Sequence, residues 1–140
     1  MLFEKNATIS IVSNASMEEE EKIEVVSPGK FLKKEDCYTV IYEETEISGM
    51  AGTTTTVNIY ENKVVLVREG STSTKMEFDK ENPAISLYNT PYGMLELTIC
   101  TNLLNIDINE NGGLVKIEYD MAISGQMPVN TSLTMKIKIK

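Results

Sequence analysis

Apolar residues recur at every second position through most of this sequence. The clearest runs stand near its end: Val115, Ile117, Tyr119, Met121 and Ile123, then Leu133, Met135, Ile137 and Ile139. Side chains of a β-strand point alternately to its two faces, so this spacing is typical of strands with one buried face. Composition agrees, because the chain has 14 Ile, 10 Val and 14 Thr but only 5 Ala. The sequence therefore predicts an all-β fold.

Short segments rich in Gly, Asn and Pro separate the alternating runs. Such residues favour turns, and connections this short join antiparallel neighbours, because a parallel crossover needs about a dozen residues. A chain of 140 residues is long enough for one hydrophobic core, so residues 1–140 are interpreted as a single domain. We predict one antiparallel meander of about ten strands, at residues 6–15, 20–32, 37–46, 53–61, 63–70, 73–79, 84–90, 93–109, 113–124 and 130–140.

Two of these strands change character part-way along. In the eighth strand the apolar residues move from odd to even positions at Leu104, which predicts a bulge or corner near 102–104. In the second strand Pro28 and Gly29 interrupt the alternation, and a proline cannot donate to the strand ladder. Corners of this kind in a ten-strand meander favour a closed or nearly closed barrel over a flat sandwich.

The charge of the chain disfavours nucleic-acid binding. It has 21 acidic against 13 basic residues, a formal net charge of -8. Nucleic-acid affinity depends on clustered Lys and Arg, so we expect no nucleic-acid partner. Lys136, Lys138 and Lys140 do gather at alternate positions of the last strand. They are interpreted as the solvated face of a terminal strand, with an anion-binding patch as the alternative.

The cellular location of the protein is predicted from the absence of membrane-spanning and signal-peptide patterns in the sequence. Its longest apolar runs are far shorter than the ~20 residues of a membrane-spanning helix, so we expect no membrane span. The N-terminus goes straight to polar residues and lacks the build of a signal peptide. The two cysteines, Cys37 and Cys100, fit a reducing compartment. A cytoplasmic protein is therefore expected, and the sequence leaves open whether the two cysteines lie close together.

The chain contains no histidine and no tryptophan. Histidine is the most frequent general acid or base near neutral pH, and zinc sites normally need histidine or several cysteines. Triads built on Ser-His or Cys-His are excluded, and no phosphate-binding glycine loop or calcium loop is present. We expect no metal and no cofactor. The sequence favours a non-enzymatic protein, although an enzyme using carboxylates or tyrosine alone stays open.

Strand alternation places two charged residues beside apolar ones. Glu44 shares a strand face with Tyr42, and Arg68 shares one with Leu66. If these faces line the barrel interior, both charges project into it. A buried charge has to be paired or bound, because an isolated one costs several kcal/mol. The pair is therefore either an internal ion pair or a group that orients the polar end of a ligand.

Two tyrosines complete the candidate site. Tyr88 precedes the turn at 91–93 and is a candidate for the mouth of the barrel, whereas Tyr119 belongs to the apolar face of its strand. Tyrosine and methionine side chains suit an adaptable ligand pocket, and they equally suit a filled core. Both interpretations stay open at this point.

Several short segments of the sequence occur together in a recognisable order. They are Tyr42-Glu43-Glu44, Val67-Arg68-Glu69-Gly70, Met76 and Phe78, Tyr88-Asn89-Thr90, Gly93, Leu95-Glu96-Leu97, Thr101, Gly112-Gly113 and Ile117-Glu118-Tyr119. In this order and spacing the chain resembles the YwiB-like family of small bacterial proteins. The resemblance implies a calycin-type, lipocalin-like β-barrel. It carries over no catalytic or binding residue.

The functional prediction is non-enzymatic binding of a small apolar or amphipathic ligand inside the barrel. The apolar part of the ligand would lie against Tyr42, Leu66, Tyr88 and Tyr119, with Arg68 and Glu44 at its polar end: these six residues are the candidate site. The alternative is a protein interaction module with a solid core and no small-molecule ligand. The sequence does not decide the oligomeric state.

Overall fold

The computed structural model of the chain describes residues 3–15, 22–44, 52–70, 73–90, 93–123 and 126–140. Ten β-strands lie in these segments: β1 (Phe3–Ala15), β2 (Lys22–Lys33), β3 (Tyr38–Glu43), β4 (Thr54–Ile59), β5 (Lys63–Glu69), β6 (Ser73–Asp79), β7 (Ala84–Thr90), β8 (Gly93–Asn109), β9 (Gly112–Ile123) and β10 (Val129–Ile139). All ten correspond to the strands predicted from the sequence. The predicted strand residues 20, 21, 45, 46 and 124 lie outside the described part. None of the described residues forms a helix long and apolar enough to cross a membrane.

The strands form one closed antiparallel barrel. Each strand pairs with its neighbours along the chain, and β1 also pairs with β10, from Ala7 opposite Ile139 to Ala15 opposite Thr131. Closure follows from the sequence pattern, because every strand carries one apolar face and a closed sheet buries all of these faces together. The predicted all-β, ten-strand antiparallel barrel is confirmed.

The predicted bulge in β8 is also confirmed. The register between β8 and β9 shifts between Thr101 and Leu103, which leaves Asn102 as the extra residue. Asn102 donates a hydrogen bond to Asp120 of β9 over 3.1 Å, and Asp120 also accepts one from Asn130 of β10 over 2.9 Å. These amide donors hold the pKa of the Asp120 carboxyl below its usual value. The bulge is thus fixed to the next two strands.

Pro28 and Gly29 do not produce a second bulge. The register between β1 and β2 runs through both residues without a shift. Gly29 instead allows a close approach, because a Cβ atom at this position would lie 2.6 Å from the carbonyl oxygen of Ile41 and 3.0 Å from the Ile9 side chain. The sequence therefore marks a tight crossing of three strands and not a change of face.

One end of the barrel is filled by aromatic rings, and we call it the aromatic end (Phe3, Phe31 and Tyr38). Phe31 is fully buried. Its ring stacks on that of Tyr38 at 5.3 Å between centroids and meets Phe3 at 5.7 Å. Lys5 and Lys33 cover the Phe3 and Tyr38 rings from outside. Aromatic side chains therefore occupy the barrel interior at this end.

The seam between β6 and β7 is less complete than the other seams. These two strands pair at only two positions, near the start of β6. Further along, the Ser86 hydroxyl donates a hydrogen bond to the Lys75 carbonyl, so a side chain takes the place of a ladder hydrogen bond. Every strand of the barrel thus pairs with two neighbours, but β6 and β7 pair over only a short part of their length.

Candidate functional site

A cavity of about 320 Å³ lies inside the barrel, at the end away from the aromatic rings. It is bounded by the second half of β1, the first half of β2 and the facing parts of β3, β5, β6, β8, β9 and β10. Most of its wall is apolar, including Ile11, Val25, Leu66, Met76, Leu97 and Leu133. The alternating apolar residues thus fill one half of the barrel and leave room in the other.

Polar side chains form one line of cross-strand neighbours at the level of the cavity, which we call the polar rung (Tyr42, Thr55, Arg68 and Thr74). Of these, Tyr42, Arg68 and Thr74 line the cavity. Each residue of the rung is the direct partner of the next on adjacent strands, from β3 through β4 and β5 to β6. Directly opposite residues of neighbouring strands share a face. The rung therefore brings four polar groups of four strands to one level of the barrel interior.

Glu44 lies just beyond β3, next to the rung, and its side chain is only 3% exposed. Its Oε1 accepts a hydrogen bond from the Thr55 hydroxyl over 2.7 Å. Burial, and secondarily the charge of Glu44, raise the pKa of the Tyr42 phenol far above its ordinary value. The carboxylate of Glu44 thus already has a hydroxyl partner within the protein.

Arg68 is the only arginine in the chain, and its side chain is 19% exposed. Its Nε lies 4.0 Å from Glu44 Oε1, which is close enough for charge attraction but too long for a hydrogen bond. The Nε atom is buried and has no hydrogen-bond partner, and among the described residues Nη1 contacts the Met76 sulfur at 3.9 Å. The Nε–H of the guanidinium is therefore a donor that the protein does not use.

Thr74 is a site residue that the sequence interpretation missed. It is 5% exposed, lines the cavity, and its hydroxyl has no partner. Arg68 and Thr74 are direct cross-strand partners in the β5–β6 hairpin. The signal was available, because both residues stand three positions from Ser71, the centre of the turn predicted between these strands.

Five of the six predicted site residues line the cavity: Tyr42, Glu44, Leu66, Arg68 and Tyr119. Tyr88 lies in β7 at the register position between Thr74 and Leu95, and its side chain is outside the described part of the structure. Glu44 and Arg68, whose direction the sequence left open, both line the barrel cavity.

Tyr119 supports the opposite wall of the cavity. Its ring packs against Phe78 at 4.7 Å between centroids, and Thr131 of β10 is its direct cross-strand partner. Burial raises the pKa of the Tyr119 phenol, and the nearby charge of Arg68 opposes this shift. Tyr119 thus presents an apolar ring and an un-ionised hydroxyl to the interior.

Other reactive groups do not converge on this site. Within the described residues, no three acidic, cysteine or histidine side chains come together as a metal site. Both cysteines are free, with Cys37 buried and Cys100 exposed. The arrangement of a large apolar wall with a few fixed polar groups is suited to holding a molecule in one orientation.

Comparison with known proteins places the chain in a family. The family model described as "Domain of unknown function (DUF1934)" matches residues 9–135. The chain belongs to this family. The DUF1934 match includes every residue of the polar rung and all of the candidate site.

A curated relative carries the same fold. The "Uncharacterized beta-barrel protein YwiB" of Bacillus subtilis is 28% identical over 96 residues, which are 69% of this chain and 66% of that protein. The crystal structure of the Bacillus subtilis ywiB protein matches with a TM-score of 0.86 and 24% identity, covering 98% of this chain and 93% of that one. The resemblance inferred from the sequence is confirmed, and this chain has the fold of the YwiB barrel.

The raised pKa values of Tyr42 and Tyr119 predict how this DUF1934 barrel responds to alkali. A phenol whose pKa is higher in the folded state than the usual 10.0 keeps its proton up to a higher pH in the folded protein than in the unfolded chain. Its stabilising contribution is complete below pH 10 and is lost as the pH rises further, so the free energy of unfolding should fall above about pH 10.

Tyrosinate absorbance during an alkaline titration tests this expectation. The variants Tyr42→Phe and Tyr119→Phe should each remove amplitude from the last part of the native titration curve. If either variant instead removes amplitude near pH 10, the corresponding phenol is not buried as described.

Proposed function

We propose that this protein binds one small apolar or amphipathic molecule in the barrel cavity and is not an enzyme. The observation that carries the proposal is the cavity of about 320 Å³, which lies at the end of the barrel opposite the rings of Phe3, Phe31 and Tyr38. Ligand sites typically have volumes of ~300–1,000 Å³ and mostly apolar walls with a few polar groups. This cavity falls at the small end of that range.

The size of the cavity limits the ligand. A volume of about 320 Å³ corresponds to roughly ten water-sized groups of ~30 Å³ each. A molecule with an eight-carbon chain is of this size, whereas a chain of sixteen carbons would extend beyond the cavity. Burial of each methylene group contributes about 0.8 kcal/mol, so the apolar tail would supply most of the affinity.

The same geometry suggests how the ligand is oriented. The tail would lie against Leu66, the ring of Tyr119 and the other apolar side chains of the wall. The polar end would lie at the level of the polar rung, near Arg68 and Glu44. Tyr88 is included in the proposed site on its register position alone.

The competing proposal of a solid-core interaction module gains no support from this geometry, since it requires a filled interior. We also propose that the protein is cytoplasmic and that it uses no cofactor and binds no nucleic acid. These parts of the proposal rest on the charge and residue content of the chain. The oligomeric state is not part of it.

Isothermal titration calorimetry with four compounds tests the binding proposal. Octan-1-ol, octanoate, octylamine and hexadecanoate share a linear chain and differ in polar end or length. We expect saturable one-to-one binding of at least one eight-carbon compound, and weaker or no binding of hexadecanoate. At a ligand concentration of about 100 times Kd, the bound compound should stabilise the fold by roughly 2.7 kcal/mol, visible as a higher Tm. No heat and no Tm shift with any of the four would contradict the proposal.

A further inference from the structure

We propose that Arg68 and Thr74 form an anion-binding subsite and that the polar end of the ligand is a carboxylate. This inference rests on the proposed ligand-binding function and specifies its chemistry. The two residues are direct cross-strand partners, and both line the cavity. Their side chains are neighbours on the same wall of the cavity.

Both groups are buried donors without acceptors. Thr74 is 5% exposed with an unpartnered Oγ1, and the Arg68 Nε is likewise buried and unpartnered. Buried polar groups in folded proteins are almost always hydrogen-bonded, because an unsatisfied one loses its interaction with water and gains nothing. An acceptor bound at this part of the cavity wall would satisfy both groups together.

The state of Glu44 determines which sign of charge the site selects. Its carboxylate already accepts a hydrogen bond from Thr55 and is more deeply buried than the guanidinium of Arg68. A cationic ligand would have to reach past that hydroxyl to contact it. Arg68, in contrast, keeps the unpartnered Nε–H donor and is the more exposed of the two charges, so an anion is the favoured ligand.

The same pair of charges favours a carboxylate over a doubly charged phosphate. Glu44 lies 4.0 Å from the Arg68 Nε and offsets part of its positive charge. One partly compensated guanidinium matches a single negative charge, and its planar fork fits the two oxygens of a carboxylate. The apolar remainder of the wall then accommodates a hydrocarbon tail. The resulting ligand class is a monocarboxylate with a chain of about eight carbons.

Calorimetry with octanoate, octan-1-ol and octylamine tests the subsite. The wild type should bind octanoate more tightly than the other two compounds. Arg68→Met should weaken octanoate binding about 10- to 100-fold, the usual effect of losing a charge-assisted hydrogen bond, and should change octan-1-ol binding by less than about 3-fold. The double variant Glu44→Gln with Arg68→Met removes both charges and guards against misfolding caused by an unpaired Glu44.

Thr74→Val provides an independent test with a matched control. Valine has nearly the shape of threonine, so this variant should fold normally and weaken octanoate binding about 3- to 10-fold. Thr101 is also buried with an unpartnered hydroxyl, but it does not line the cavity. Thr101→Val should therefore leave octanoate binding unchanged.

The single arginine gives a spectroscopic readout. A 15N-labelled sample has only one arginine Nε–H correlation, and octanoate should shift it whereas octan-1-ol should not. Equal affinity for octanoate and octan-1-ol, preference for octylamine, or full octanoate binding by Arg68→Met would overturn the carboxylate subsite and leave the binding cavity in place. Absence of binding by all three compounds and by hexadecanoate would overturn both proposals.

Discussion

Replacing Ser13 by tryptophan is expected to abolish binding of eight-carbon ligands while leaving the fold intact. Ser13 lies on β1 and lines the cavity. An indole ring at this position would occupy space that the ligand tail needs. Exclusion of only four methylene groups, at about 0.8 kcal/mol each, would weaken binding more than 100-fold. Calorimetry with octanoate and octan-1-ol measures the loss, and thermal unfolding measures whether the fold is retained.

Ser10→Trp is the matched control for this prediction. Ser10 lies on the same strand three residues earlier, hence on the outer face, between Val26 and Lys136 in the register. Tryptophan there should leave ligand affinity within about 2-fold of the wild type. If Ser13→Trp binds the ligands normally, the ligand does not occupy this cavity.

The largest loss of stability is expected from Phe31→Ala at the aromatic end. Phe31 is fully buried between Phe3 and Tyr38, so truncation to alanine removes two ring contacts and opens a void. Large-to-small changes of this type cost about 3 to 5 kcal/mol, because the surroundings collapse only in part. Urea denaturation should report a decrease of that size in the free energy of unfolding.

Phe31→Leu keeps most of the volume and should cost less than about 1.5 kcal/mol. A loss below about 1 kcal/mol for Phe31→Ala would mean that the aromatic end is loosely packed. The contrast between a filled end and a cavity end, on which the functional proposal depends, would then be wrong.

The fold was predictable because it depends on a local pattern. Alternation in each strand and short turns between strands determine an antiparallel meander without any long-range information. The bulge before Leu104 was visible as a shift of the apolar residues from one face to the other. The close approach of neighbouring strands at Gly29 could not be predicted, because it depends on where the strands of Ile9 and Ile41 lie.

The site was predictable only in part. Strand alternation put Glu44 and Arg68 on the same face as apolar neighbours, but it left open whether that face is the interior. The same reasoning missed Thr74: its pairing with Arg68 follows from the predicted turn, but nothing local reveals that its hydroxyl lacks a partner. The size of the cavity could not be predicted either, because it depends on the summed volumes of side chains from eight different strands and not on the order of those strands.

Nuclear Overhauser contacts between the protein and bound octanoate test the central claim most directly. A labelled sample saturated with octanoate should give contacts from the hydrocarbon chain to Leu66, Met121 and the ring of Tyr119, all of which line the cavity. Contacts confined to outward-facing residues such as Val26 and Ile85, which are exposed on the barrel surface, would contradict the claim that the ligand binds inside the barrel.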